Sequence, residues 1–75
     1  MKFIELSGAT LFRVVHPSEI QLHELEDAGV HNESVVRVNQ QGDVELRRPH
    51  GWDVIGGLLG DFEHRLKSAT HLDWA

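Results

Sequence analysis

The residues from Ser34 to Arg48 constrain the fold most, because they have the pattern of a β-hairpin. Apolar and polar side chains alternate on both sides of Asn39–Gly42, as they do in two strands with one buried face. The segment Asn39–Gly42 itself suits a type I turn that is closed by a glycine with left-handed backbone. This register predicts that Arg37 lies opposite Glu45 on the face turned away from the core.

Two further strands and a helix are predicted before this hairpin. Lys2–Leu6 and Leu11–Val15 are rich in apolar and β-branched residues, and the turn residues around Gly8 lie between them. Ser18 stands three residues before Gln21, which is the spacing of a capping box. We therefore expect a first hairpin, followed by a helix from about Glu19 to Ala28.

A second helix is predicted after the central hairpin. Pro49 cannot continue a strand ladder, and Asp53 is a good N-cap residue. Apolar residues then recur at helical spacing as far as Leu66, which predicts a helix that ends near Ser68. The members of this stripe are Ile55, Leu58, Leu59, Phe62 and Leu66.

The predicted element order is ββαββα, which indicates a small α+β single domain. We expect one mostly antiparallel sheet with two helices packed on one of its faces. The sequences of the halves 1–29 and 34–69 can be aligned at an offset of about 34 residues, which matches Gly8 with Gly42. An internal ββα pseudo-repeat is therefore one hypothesis, with 70–75 as a C-terminal tail.

Composition limits the classes of function. The chain has 75 residues, no cysteine and a formal net charge of −5. A small domain without disulfides is typical of a reducing cytoplasm, and an acidic chain is repelled by nucleic acid and by anionic membranes. The longest apolar run, Val54–Leu59, is too short to cross a bilayer, and the N-terminus lacks the pattern of a signal peptide. We expect a cytoplasmic protein with no membrane association.

The favoured function is that of a noncatalytic interaction or regulatory module. On the predicted last helix, Gly56 and Gly60 lie one turn apart and would form a flat strip that either the protein's own sheet or another subunit can approach. Tryptophan is enriched in interface hot spots, and two tryptophans flank this helix. The predicted interface with a protein partner or with a second copy comprises Trp52, Gly56, Gly60, Leu72 and Trp74.

A hairpin-type DNA-binding regulator or an antitoxin-like protein is the alternative. Its contacts would be Arg37, Arg47 and Arg48, since a two-stranded ribbon can enter a major groove. The run 36–46 faintly resembles the strand–turn–strand of AbrB-type swapped-hairpin transcription factors. However, Pro49 follows two residues later than in that family, and acids at 43 and 45 replace neutral or basic residues. Nucleic acid is therefore not the favoured partner.

Metal binding is the second alternative. The chain has six histidines, and without cysteine any site must combine imidazole with carboxylate ligands. An H-x-x-[D/E] pattern occurs twice before a predicted helix, which makes His16, Glu19, His50 and Asp53 the candidate ligands. No recognised zinc spacing and no nucleophile motif is present, so we expect neither an enzyme nor a cofactor.

Overall fold

The predicted hairpin forms the centre of the sheet in the computed structural model, which describes residues 1–75. Strand β2 (Val35–Asn39) pairs antiparallel with β3 (Asp43–Arg48), and Arg37 lies opposite Glu45 as expected. The side-chain oxygen of buried Asn39 accepts hydrogen bonds from the backbone N–H groups of Gln41 and Asp43 at 2.9 and 3.0 Å. These bonds hold the turn, because they satisfy backbone donors that the strands leave unpaired.

Two outer strands complete an antiparallel sheet of order β1-β2-β3-β4. Strand β1 (Phe3–Ser7) pairs with β2, and β4 (Gly51–Gly57) pairs with β3 after a two-residue turn. Within β4, Val54 lies opposite Glu45 while Gly56 lies opposite Val44, so the intervening Ile55 forms a β-bulge. The sheet is therefore regular over three strands and irregular at one edge.

Three short helices cover one face of this sheet. They are α1 (Gly8–Val14), α2 (Leu22–Asp27) and α3 (Phe62–Thr70). Leu11, Leu25 and Leu66, one from each helix, are fully buried. They form a single core cluster with the alternate strand residues Ile4, Leu6, Val36, Val38, Val44 and Leu46. The α+β class with an antiparallel sheet is thus confirmed.

The predicted second strand, Leu11–Val15, is wrong, because most of this segment belongs to α1. Ser7 begins the helix as its N-cap, and its hydroxyl accepts a hydrogen bond from the Thr10 N–H at 3.1 Å. Leu11 and Val14 are three residues apart and both face the core. A single helical turn buries this pair, and that burial outweighs the β preference of the segment.

The predicted helix from Asp53 to Ser68 is wrong in its first half. Gly51–Gly57 is strand β4, and the helix begins only at Phe62, with Asp61 rather than Asp53 at its N-cap. A helix over this region would include three glycines, each costing about 1 kcal/mol relative to alanine. Glycine is unfavourable in a strand as well, so pairing with β3 and the space that Gly56 leaves for the Ile20 side chain favour the strand. The observed order is βααβββα, so the two halves do not repeat a ββα unit.

The helix predicted from Glu19 begins later, at Leu22. Its capping box is formed by Gln21 and Glu24 rather than by Ser18 and Gln21. The Glu24 carboxylate accepts a hydrogen bond from the Gln21 N–H at 3.4 Å. The Glu19 carboxylate instead accepts a hydrogen bond from the His16 N–H at 2.9 Å. This bond folds 16–19 into a turn and delays the helix.

The C-terminal tail returns to the sheet. Ala75 exchanges two backbone hydrogen bonds with Phe3, at 2.9 and 3.0 Å, and so adds one antiparallel bridge to the outer edge of β1. Trp74 packs against the core, whereas Leu72 keeps 49% of its surface exposed. Lys67 on α3 holds the tail through its ion pair with Asp73 at 3.0 Å.

Candidate interaction surface

The second face of the sheet, which we name the outer face, lies opposite the three helices. Side chains from alternate positions of all four strands form it, as the strand register requires. Its principal residues are Phe3, Glu5, Val35, Arg37, Glu45, Arg47, Trp52 and Val54. Because the helices pack on the other face, this surface is available to another molecule.

The centre of the outer face is the guanidinium of Arg37, which lies between two aromatic rings. Its Cζ atom is 3.8 Å from the centroid of the Phe3 ring and 4.2 Å from that of Trp52. Its Nε and Nη2 atoms both donate to Oε1 of Glu45, at 3.2 and 2.9 Å. Only 24% of the Arg37 side chain and 12% of the Glu45 side chain remain exposed. The cation is thus neutralised and largely dehydrated within the protein.

This stack of Phe3, Arg37 and Trp52 depends on three different strands. Phe3 comes from β1, Arg37 from β2 and Trp52 from β4, so the rings approach the cation diagonally across the sheet. Each cation–π contact contributes roughly 0.5–2 kcal/mol, more when water is excluded. The contacts hold all three side chains in one arrangement before any partner is present.

The rim of the outer face is exposed and carries both charge signs. Val54 at one side is 62% exposed, and Leu72 of the tail borders the other side. Glu5 and Arg47 are exposed as well, and neither forms an ion pair within the protein. A shallow hollow of about 270 Å³ lies between β1 and the tail, where Phe3, Arg37 and Leu72 meet. A rigid centre is therefore surrounded by a mixed apolar and charged rim.

The structure separates the residues of the predicted helical interface. Trp52 lies on the outer face, and Leu72 borders it at the far side. Gly56 faces the core, where an added Cβ would come within 2.6 Å of Ile20 Cδ1, and Gly60 lies in the loop before α3. Trp74 packs against the core. The flat glycine strip does not form, because its residues belong to a strand and a loop.

The three arginines of the DNA-binding alternative also divide between the two faces. Arg37 and Arg47 share the outer face, whereas Arg48 lies on the opposite face and pairs with Asp53 at 3.0 Å. Arg37 is already neutralised by Glu45. Of the three, only Arg47 has no acidic partner, so this hairpin offers phosphate little uncompensated positive charge.

The four candidate metal ligands are not gathered into one site. The Glu19 carboxylate is bound by Arg65 and that of Asp53 by Arg48, while His16 and His50 are exposed. No group of three or more histidine, aspartate or glutamate side chains is placed to hold a metal ion.

The largest cleft, about 490 Å³, lies between the loop at His16–Glu19 and the loop before α3. Its central charges are Glu19 and Arg65, whose Nη2 and Oε2 atoms are 2.6 Å apart. Burial alone would raise the pKa of Glu19. Hydrogen bonds from Arg65, from the Leu59 and His16 N–H groups, and the Arg65 charge outweigh it and lower this pKa to about 2. The carboxylate stays ionised near neutral pH, and its bonds to Arg65 and Leu59 hold the two sides of the cleft together.

Sequence reasoning missed four residues of the outer face: Phe3, Glu5, Val35 and Val54. Phe3 and Glu5 alternate with buried Ile4 and Leu6, and this period-two pattern was the available signal. Val54 was assigned to a helix and therefore not placed beside Glu45.

Comparison with family models, with curated proteins and with solved structures finds no match to this chain. None of the three helices has the length and apolar character that a membrane crossing requires. The surface geometry therefore carries the functional argument.

Proposed function

We propose that this protein is a noncatalytic interaction module that binds a protein partner through its outer face. The observation that carries the proposal is the stack of Phe3, Arg37 and Trp52 at the centre of an uncovered sheet face. Tryptophan and arginine are the side chains most enriched in interface hot spots, which lie near the centre of a contact surface.

The state of the stack before binding supports this proposal. Association usually costs side-chain entropy and the dehydration of charges. Arg37 is already held by two rings and by Glu45, and both members of the ion pair are mostly shielded from water. Covering this centre removes little further hydration, so the burial of Val54 and the rings contributes directly to binding.

Electrostatics favours a protein over nucleic acid as the partner. The chain carries a formal net charge of −5, and the outer face includes the acids Glu5, Asp43 and Glu45 beside Arg37 and Arg47. A polyanion meets repulsion from these acids, whereas a protein surface of mixed charge can match both signs.

The proposal also includes that the protein is noncatalytic and cytoplasmic. In the largest cleft, the central carboxylate of Glu19 is bound by Arg65 and stays ionised near neutral pH, so it does not supply a proton to a substrate. A chain of 75 residues without cysteine has no disulfides to stabilise it outside the cell.

Two exposed apolar side chains provide a matched test. Val54 on the outer face is 62% exposed and Leu22 on α2 is 57% exposed, so Val54→Lys and Leu22→Lys make the same chemical change on opposite sides of the protein. Each variant and the wild type are used to capture partners from nuclease-treated host extract. We expect Val54→Lys to lose the partner that wild type and Leu22→Lys both retain.

The folded state of each variant is checked by far-UV circular dichroism. Equal recovery of the partner by all three proteins, with folding intact, would show that the outer face is not the binding surface. Recovery only before nuclease treatment would assign the face to nucleic acid instead.

A further inference from the structure

We infer that the partner of the outer face is a second copy of this chain, packed face to face about a two-fold axis. This inference rests on the proposed function, because it identifies the molecule that the same surface binds. Two charged residues of this face form no ion pair within one copy, although the guanidinium of one of them, Arg47, lies 5.7 Å from the centroid of the Trp52 ring.

The two residues are Glu5 and Arg47, which lie on strands to either side of Arg37. Glu5 on β1 is in register with Arg37, and Arg47 on β3 is in register with Trp52. Both side chains are exposed and neither forms an ion pair in the protein. The other acid of this face without an ion pair, Asp43, is only half-exposed and accepts a hydrogen bond from the Asn39 amide at 3.0 Å, so the outer face presents one exposed acid and one exposed base at separate points of its rim.

A two-fold axis converts this arrangement into self-complementarity. In such a dimer, if residue i contacts residue j of the second copy, then j also contacts i. A two-fold axis that lies in the plane between the two faces, over Arg37 and perpendicular to the line from Glu5 to Arg47, brings each Arg47 to the Glu5 of the other copy. Two identical ion pairs form at once, and the two stacks lie against each other at the centre.

The size of the face is consistent with a weak dimer. Four strands about 4.8 Å apart and about five residues long, at about 3.3 Å per residue, give roughly 300 Å² in projection for each copy. The two copies together therefore bury roughly 600 Å² in projection, and side-chain relief raises this total toward the ~1,000 Å² lower limit of specific interfaces. We expect dissociation at low protein concentration.

The edges of the sheet are less suited to self-association than the face. The free edge of β4 carries a bulge at Ile55 and the charge of Asp53, and both features oppose the addition of another strand. The outer edge of β1 is already bonded to Ala75 at Phe3. Packing through the outer face requires no rearrangement of either edge.

Charge reversal tests the inference, because it distinguishes a second copy from any other partner. Sedimentation equilibrium measures the dimer dissociation constant of the wild type, of Glu5→Arg and of Arg47→Glu. Each single reversal opposes like charges twice in the homodimer, and we expect dissociation to become at least about tenfold easier. An equimolar mixture of the two variants restores both ion pairs and should return the wild-type dissociation constant.

Matched controls change the net charge equally at exposed, unpaired sites on the helical side. Asp27→Arg on α2 corresponds to Glu5→Arg, and Arg13→Glu on α1 corresponds to Arg47→Glu. We expect both controls to dimerise as the wild type does. If a reversal unfolds the protein, Glu5→Gln and Arg47→Gln replace it, and each should weaken the dimer by a smaller factor.

A wild type that stays monomeric at millimolar concentration overturns the inference, and so does a dimer that neither reversal weakens. Failure of the mixed variants to associate overturns it as well, because rescue follows directly from two-fold pairing. The proposed function is judged separately: loss of a different captured protein on Val54→Lys supports that function even if the chain is monomeric.

Discussion

Arg65 on α3 and Glu19 in the loop before α2 form an ion pair that joins two segments 46 residues apart. Only 4% of the Glu19 side chain is exposed, and its carboxylate also accepts hydrogen bonds from the His16 and Leu59 N–H groups at 2.9 and 2.6 Å. Arg65 in turn donates to the carbonyl groups of Val14 and Leu59. One cluster thus ties together the end of α1, the next loop and both ends of the connection from β4 to α3.

Loss of Arg65 should destabilise the protein strongly. Arg65→Met leaves the Glu19 carboxylate nearly buried without its cation, and we expect a loss of about 3 kcal/mol in the free energy of unfolding. Lys67→Met is the control: it breaks ion pairs with Glu63 and Asp73 at the surface and should have a much smaller effect. Urea denaturation measures both, and equal losses would contradict the central role of the buried pair.

Acid should weaken the fold through Glu19. Its pKa falls from 4.5 to about 2 on folding, so the stabilisation is complete above pH 4.5 and is lost as the pH falls toward 2. This difference corresponds to on the order of 3 kcal/mol. Urea denaturation between pH 6 and pH 2 measures the loss, and the curve for Glu19→Gln should be flatter. Parallel curves for the two proteins would show that another carboxyl group controls the acid response.

Two glycine substitutions should differ sharply in cost. A Cβ on Gly8 would lie 1.7 Å from the backbone oxygen of His31, which cannot move without shifting its segment. We expect Gly8→Ala to cost about 3 kcal/mol or more, or to prevent folding. Gly60 has a φ of +63° with open space around it, so Gly60→Ala should cost only about 1 kcal/mol. Thermal denaturation checks the order, and a tolerated Gly8→Ala would argue against the close approach of α1 to the loop before β2.

The contact of Phe3 with Arg37 should appear as a coupling energy. Arg37→Lys keeps the charge but loses the planar group that lies over the ring, and Phe3→Leu removes the ring. We expect the two changes together to cost about 0.5–1 kcal/mol less than the sum of their separate effects. A double-mutant cycle from urea denaturation measures this difference. Strict additivity would mean that the stack contributes nothing to stability.

The central hairpin could be predicted because its information is local. The alternation of Val36, Arg37 and Val38 and the turn ending at Gly42 specify both the pairing and its register. Position-by-position pairing of Arg37 with Glu45 followed from that register alone. No other part of the chain was needed to reach it.

The predictions for two segments were wrong because tertiary contacts override the conformation that each segment prefers locally. Leu11–Val15 has strong β propensity, but Ser7 caps a helical turn and the core accepts Leu11 and Val14 from one side. In 51–57 the spacing of apolar residues suggested a helix, although the glycines of this segment are unfavourable in a helix. Pairing with β3 decided the outcome, and that pairing is not a local property.

The outer face was predicted only in part for the same reason. Arg37 and Glu45 belong to one hairpin, so their contact could be anticipated. The rings of Phe3 and Trp52 reach Arg37 from strands that begin 34 residues before it and 14 residues after it. Their meeting requires the order of all four strands.

The sequence by itself determined what local patterns specify: the extended conformation of the first strand, the central hairpin and the last turns of α3. It also determined the acidic, cysteine-free character of the chain. The tertiary structure alone decided that β4 is a strand, that Glu19 meets Arg65, and that Phe3 and Trp52 enclose Arg37. The physical reason is the range of the interactions. Turn geometry and alternation act between neighbours, whereas ion pairing, ring stacking and strand order depend on segments that only the folded core brings together.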